Sequence, residues 1–256
     1  MNGLAERVVL VTGGASGIGK GIAEVFAAYG SRVAIGDLDE RRALLTAEQL
    51  KDAPAALGVE MDVADRASTD SAVRRIEEEL GAVEVLVNNA GISHATPFLA
   101  IGAEELDRIL NVNLKGVFIV TQRILPGMLE RSAGRIVNIS SMAGKEGLPH
   151  LSHYCASKFG VIGMTQSLAK EVAERGVTVN AVCPGVIRTR LWDDPETGIL
   201  VDMGGESAWS AFVAGIPLGR PQDPLDIGYA CAFLASDYAA NITGESLNVS
   251  GGQQMH

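Results

Sequence analysis

Three cysteines, four histidines and a 5% share of aromatic residues are all that this 256-residue chain holds of those types. The cysteines (Cys155, Cys183, Cys231) are odd in number and form no C-x-x-C pair. Neither a disulfide framework nor a thiolate metal site is expected, and the compartment implied is the reducing cytoplasm. His94, His150, His153 and His256 stand apart without metal-site spacing, so no protein metal site is expected. Cations number 21 against 31 anions, a formal net charge of −10, which leaves a nucleic-acid role without electrostatic footing. No apolar stretch reaches membrane-spanning length without a glycine or a charge, and residues 1–7 hold no apolar leader core. No membrane partner is expected. What the chain has in quantity is glycine, 30 residues, and 47% hydrophobic residues. That composition suits a buried parallel sheet joined by tight connections, in one domain spanning 1–256.

Apolar runs alternate with amphipathic stretches from end to end. The pattern predicts strands at 7–11, 32–36, 55–60, 83–87, 135–139, 177–182 and 246–249. It predicts helices at 17–29, 40–51, 66–80, 103–130, 152–174 and 223–235. Strands separated by helices require right-handed crossovers. The fold class is therefore α/β: a three-layer, doubly wound Rossmann fold around a mainly parallel seven-stranded sheet. The exception is 188–217, long and irregular, with both tryptophans, Trp192 and Trp209. Within it, 190–216 is expected to be a substrate lid, packed down by the tryptophans and Phe212. Its acids (Asp193, Asp194, Glu196, Asp202, Glu206) are expected on a solvated outer face.

The first strand runs into Thr12-Gly13-Gly14-Ala15-Ser16-Gly17-Ile18-Gly19, and a helix follows. Gly13, Gly17 and Gly19 let the backbone turn tightly and approach a pyrophosphate, while the helix N-terminus offers free N–H groups and a favourable dipole. Alone, such a turn is also an ordinary strand–helix connection. Strand, turn and helix in this order read as a dinucleotide site. Asp37 closes the second strand eighteen residues after Gly19, where a carboxylate bonds the adenosine ribose and repels a 2′-phosphate. NAD is thus expected over NADP. The alternative for Asp37 is an N-cap of the helix beginning near Glu40. Neither Leu38 nor Ser16 offers the positive charge an NADP phosphate wants, and Arg41 and Arg42 are explained equally by local ion pairs. Asp62-Val63 and Asn88-Asn89-Ala90-Gly91 close the third and fourth strands; singly, each is ordinary turn chemistry.

The fifth strand ends in Ser140-Ser141, and Tyr154 and Lys158 follow at i and i+4 on one helix face. An ammonium beside a phenol is expected to lower the Tyr154 pKa towards neutrality. In isolation the pair reads as a half-buried aromatic beside a snorkelling lysine. Its company changes that. The turn at 12–19, Asn88-Asn89-Ala90-Gly91, Asn113, Ser141, Tyr154 with Lys158, and Pro184-Gly185 stand in one order and spacing. Over roughly 5–252 the chain thereby resembles the short-chain dehydrogenases/reductases, in their NAD-dependent polyol and secondary-alcohol branch.

The resemblance implies roles. Tyr154 would be the general acid or base, Ser141 would hold the substrate oxygen, and Lys158 would bond the nicotinamide ribose. Asn113 would anchor a water leading from Lys158. Ile187 and Thr189 would meet the nicotinamide carboxamide, and Pro184 and Gly185 would bind the cofactor beside them. Asp62 and Val63 would face adenine, Asn89, Ala90 and Gly91 would line the groove, and Ile18 would lie under the pyrophosphate. The partners implied are a small alcohol or ketone and three further copies, in a homotetramer built on helices 103–130 and 152–174 and on the last strand. His94, His150, Trp192 and Trp209 are candidates for touching substrate. The reaction implied is hydride transfer between NAD and a small secondary alcohol or polyol. The chain's end is also similar to 3-oxoacyl carrier-protein and hydroxy-acid reductases, which remain an alternative. An NAD-retaining epimerase or dehydratase, or an NAD-binding regulator, are alternatives of another class.

Overall fold

The chain is seen here as a computed structural model that describes residues 1–193, 200 and 204–256. Seven short segments rich in Val, Ile and Leu form one sheet: β1 (Val8–Thr12), β2 (Arg32–Asp37), β3 (Ala56–Glu60), β4 (Val85–Asn88), β5 (Gly134–Ile139), β6 (Val177–Pro184) and β7 (Ser246–Val249). Their order is β3-β2-β1-β4-β5-β6-β7 and every pairing is parallel. Parallel strands covered on both faces need apolar residues on both. In β1, Val9 and Val11 enter a core with Ile22, Phe26 and Ala43, whereas Val8 and Leu10 enter another with Val73, Ile76 and Val120. The first core holds α1 (Gly17–Ala28) and α2 (Glu40–Gln49) with the helix Pro224–Ala235. The second holds α3 (Arg66–Glu79), α5 (Gly116–Glu130) and α6 (Ser152–Val172). This is the expected doubly wound, three-layer arrangement. The strand order reverses between β1 and β4, which opens a crevice at the carboxyl ends of those strands.

Two expectations change. The helix predicted over 103–130 is broken: α4 (Ala103–Leu110) passes through a π turn at Asn111–Lys115 before α5 begins. Such a turn inserts a residue into the helical ladder and re-aims a side chain, here the fully buried Asn113. Hydrophobic periodicity does not register one inserted residue. The segment 188–217, predicted irregular, holds two helices among its described residues, Arg190–Asp193 and Glu206–Ala214.

Candidate active site

A cleft of about 1030 Å³ opens at the reversal point. Its lining contains Gly13, Ser16, Gly17, Ile18, Gly19, Asp37, Leu38, Asp62, Val63, Asn89, Ala90, Gly91, Tyr154, Lys158, Pro184, Gly185, Ile187 and Thr189, the residues expected around a dinucleotide. The local reasons are visible. Gly13 and Gly17 have φ of 61° and 53°, left-handed values that favour glycine. A methyl on Gly19 would run into the carbonyl oxygen of Gly13, and one on Gly17 would meet Thr189 Cγ2 at 3.3 Å. The backbone is thus bare at the start of α1, and Ser16 makes no side-chain cap there, leaving the first-turn N–H groups to an anion.

Asp37 is not the cap of α2. That role belongs to Asp39, whose carboxylate accepts the Arg42 N–H. Asp37 accepts the backbone N–H of Ala15 at 3.1 Å and of Asp39 at 3.2 Å, so its carboxylate is fixed on the cleft wall. Asn89 acts as a strut: its side-chain amide donates to the carbonyls of Thr12 and Gly13 at 2.9 and 3.0 Å. Asp62 accepts the Ala64 N–H at 2.8 Å, a local turn bond, while facing the same cleft. A bare, dipole-rich turn beside a fixed carboxylate fits a dinucleotide's pyrophosphate and ribose.

At the other end of the cleft, Ser141 accepts the Ala143 N–H at 3.1 Å and shares the wall with Tyr154. Neighbouring Ser140 is engaged elsewhere, donating to the Lys158 carbonyl at 2.9 Å. The Lys158 ammonium donates to the Ile139 carbonyl at 2.9 Å and lies 5.7 Å from the centre of the Tyr154 ring. Here the expected pKa direction is reversed. Burial pushes the Tyr154 phenol up to about 12, although the Ser141 hydroxyl favours its ionised form. Burial likewise depresses Lys158 to about 8. Desolvation dominates, because Tyr154 is buried in one cluster with Ala143, Leu151 and Cys155, and Leu148 and Trp192 pack against it.

Asn113 is pinned by three bonds. Its Oδ1 accepts the Ile92 N–H at 2.8 Å, and its Nδ2 donates to the Ile92 carbonyl at 2.8 Å and to Ser157 Oγ at 3.2 Å. It does not line the cleft but fixes the segment that does. A Cβ on Gly91 would lie 3.4 Å from Asn113 Oδ1 and 3.5 Å from Lys158 Nζ, so that glycine separates the two.

Of the substrate candidates, Trp192 lines the cleft and touches Trp209 and Phe212 edge to face, with centroids 5.6 and 5.1 Å away. Phe212 is on the wall too, while Trp209 is buried behind. His94 is off the wall, on Thr96 and Glu105 at 2.9 and 3.2 Å, and His150 is exposed. Glu105 also meets Thr96 at 2.6 Å and the buried His153 at 3.0 Å. Burial would raise the Glu105 carboxyl, but bonds from Thr96, His153 and His94 outweigh it and hold the group below the usual range. Two of the acids expected on a solvated face, Asp193 and Glu206, are exposed but paired with Arg188, whose guanidinium lies 5.1 Å from the centre of Trp209. Asp194, Glu196 and Asp202 lie outside the described residues. Sequence reasoning passed over Ser93 and Arg108, which also line the cleft. Nothing in their spacing marks them.

The family described as short chain dehydrogenase matches residues 7–198. The chain belongs to the short-chain dehydrogenase family. Within that family it is 40% identical over 252 residues to a 3-oxoacyl-[acyl-carrier-protein] reductase of Vibrio cholerae, covering 98% of this chain and 99% of that one. It is 38% identical over 256 residues to a galactitol 2-dehydrogenase of Agrobacterium fabrum (98% and 99%). It is also 38% identical over 252 residues to a diacetyl reductase [(S)-acetoin forming] of Staphylococcus epidermidis (96% and 98%). Among solved structures, a tryptophan variant of actinorhodin polyketide ketoreductase with NADPH superimposes with a TM-score of 0.90 at 37% identity, covering all of both chains. The protein is accordingly an oxidoreductase of the nicotinamide-dependent short-chain type. Among the described residues, no group of three or more His, Cys, Asp or Glu is placed to hold a metal, and no helix is long and apolar enough to cross a membrane.

Proposed function

We propose that this short-chain dehydrogenase transfers a hydride between NAD(H) and a small secondary alcohol or polyol, or the corresponding ketone. The observation that carries this reading is the placing of Ser141, Tyr154 and Lys158 on the same cleft as a fixed Asp37 carboxylate. The nicotinamide ring supplies the hydride donor or acceptor. Tyr154 gives its proton to the ketone oxygen in reduction and takes it from the alcohol in oxidation. Ser141, anchored by Ala143, orients that oxygen. Lys158, held by Ile139, places a positive charge where it favours the phenolate needed for oxidation.

Asp37 supports NAD, since its carboxylate would oppose a 2′-phosphate. Arg42 lines the same cleft, but its Nε is 3.7 Å from Asp39 Oδ2. The relevant measurement is kcat/KM for NAD against NADP on a panel of secondary alcohols, polyols and hydroxy acids. NAD should be preferred at least tenfold, and Asp37→Ala should narrow the gap. A wild-type preference for NADP would overturn the cofactor assignment. The second reading, a 3-oxoacyl reductase, is favoured by the 40% identical reductase and would appear as NADPH-linked reduction of 3-oxoacyl thioesters. The quaternary state we propose is a homotetramer. Phe118 on α5 and Phe159 on α6 stand 43% and 48% exposed, leaving apolar faces for another copy. A monomer by light scattering at micromolar concentration would refute it.

A further inference from the structure

The first turn of α6 carries Tyr154 but has no side-chain cap. Leu151 stands at the N-cap position, and only its backbone carbonyl takes part, accepting the Cys155 N–H at 2.7 Å. Uncapped first turns fray, because their leading N–H groups have no partner within the helix. A general acid, however, must stay within hydrogen-bond reach of the oxygen it serves, and a misplacement of about 1 Å costs up to a hundredfold in rate. A carboxylate on another helix supplies the missing anchor. Glu105, on α4, accepts a hydrogen bond at 3.0 Å from Nε2 of His153, the residue before Tyr154. An ionised carboxylate can only accept, so this nitrogen carries the proton. The His153 ring is buried, and its Nδ1 has no partner among the described residues, so the bond to Glu105 is what fixes it. The same Glu105 oxygen accepts the Thr96 hydroxyl at 2.6 Å and meets His94 Nδ1 at 3.2 Å. Thr96 in turn donates its backbone N–H to the carbonyl of His150, just before α6, at 2.8 Å. Thr96 and His94 belong to the loop after β4, whose residues Asn89 to Ser93 line the cleft. One oxygen therefore joins α4, the loop that forms the cleft wall and the turn that carries the acid.

From this we infer that Glu105 and His153 are positioning residues: their bond fixes the first turn of α6 and so holds Tyr154 in place for proton transfer. The inference rests on the proposed acid–base role of Tyr154. Neither Glu105 nor His153 lines the cleft, so both act through Tyr154 and not on substrate or cofactor. The His153 ring offers a way to isolate the one bond that matters. A glutamine side chain carries an amide N–H near the place of Nε2, whereas an asparagine carries its amide near the place of Nδ1, where the histidine bonds nothing.

The test uses the whole protein, well below its melting temperature, with saturating NAD and 2-butanol or the fastest alcohol of the panel. His153→Gln should keep kcat within about threefold of wild type, while His153→Asn and Glu105→Ala should lose about tenfold or more. In all three variants KM for NAD should stay within about twofold, because the cleft wall that holds the cofactor is untouched. Amide hydrogen exchange at 152–156, measured without cofactor, should quicken in His153→Asn and Glu105→Ala but not in His153→Gln. Equal kcat in the Gln and Asn variants overturns the inference, as does a loss of kcat matched by an equal weakening of NAD. Faster exchange with undiminished kcat marks the cluster as structural only and overturns it likewise. A dead Tyr154→Phe beside a fully active His153→Asn removes this inference alone. A Tyr154→Phe variant that stays active removes the proposed function, and this inference with it.

Discussion

Lys158 is a buried cation whose ammonium bonds a backbone carbonyl and, among the described residues, no carboxylate. The variant Lys158→Met keeps an unbranched side chain one atom shorter and removes the charge. Burial lowers the lysine pKa from 10.5 to about 8, which corresponds to about 3 kcal/mol held against the charged form. Below pH 8 the ammonium is charged both folded and unfolded, so the folded protein carries the whole cost. As pH climbs from 8 towards 10.5 the folded lysine is neutral and the cost fades. Losing the bond to Ile139 offsets about 1 kcal/mol of the gain. The variant should therefore be about 2 kcal/mol more stable at pH 7, roughly 6 °C in thermal midpoint for a chain of this size, and nearly equal to wild type at pH 9.5. Tyr154, with its pKa raised to about 12, does not enter this comparison below pH 10. The assay is calorimetric melting of both proteins without cofactor, at matched concentration, at the two pH values. Turnover should fall a hundredfold or more, since the phenolate loses its neighbouring charge. A less stable variant at pH 7, or an advantage that does not shrink with pH, would refute the account of Lys158 as a strained functional cation.

Tyr154→Phe should abolish turnover and leave NAD affinity within about twofold, as titrated by calorimetry, because the ring stays and only the hydroxyl goes; a variant keeping a tenth of wild-type kcat would remove Tyr154 from the mechanism. Alcohol oxidation by the wild type should strengthen from pH 6 to about 8, because burial holds the phenol protonated, and level off above it as Lys158 loses its charge, whereas ketone reduction should not strengthen. A flat oxidation profile from pH 6 to 10 would contradict that.

Much of this site was legible because its chemistry is written in side chains at fixed spacing. Tyr154, Lys158 and Ser141 meet on one cleft, as their order implies, and Asp37 ends its strand where a ribose partner belongs. Strand and helix limits followed from apolar runs, which respond to burial on both faces of a parallel sheet. The parts that escaped depend on neighbours distant in sequence. The direction of the Tyr154 pKa turns on how completely Leu151 and its cluster exclude water, which no i to i+4 pattern reports. Spacing to Tyr154 favours Ser141 over Ser140, but the partner that occupies Ser140, the Lys158 carbonyl 18 residues away, is not written in the spacing. The π turn at Asn113 exists to reach Ile92, a partner 21 residues away. Arg188 was legible only as a charge next to Thr189, because its partners, Asp193 and Glu206, and the face of Trp209 are assembled by folding.

Both tryptophans of the chain, Trp192 and Trp209, sit edge to face in the segment that borders the cleft, and the sheet and its covering helices contain none. All indole fluorescence of the protein therefore originates within one aromatic contact of the site. Reduced nicotinamide absorbs where indole emits, so a reduced cofactor beside Trp192 would quench that emission by energy transfer and brighten its own. The arrangement makes the native protein its own optical reporter. Cofactor arrival and rearrangement of the bordering segment are readable in real time without a label or a turnover assay, and substituting one tryptophan at a time separates the signal of the wall from that of the layer behind it.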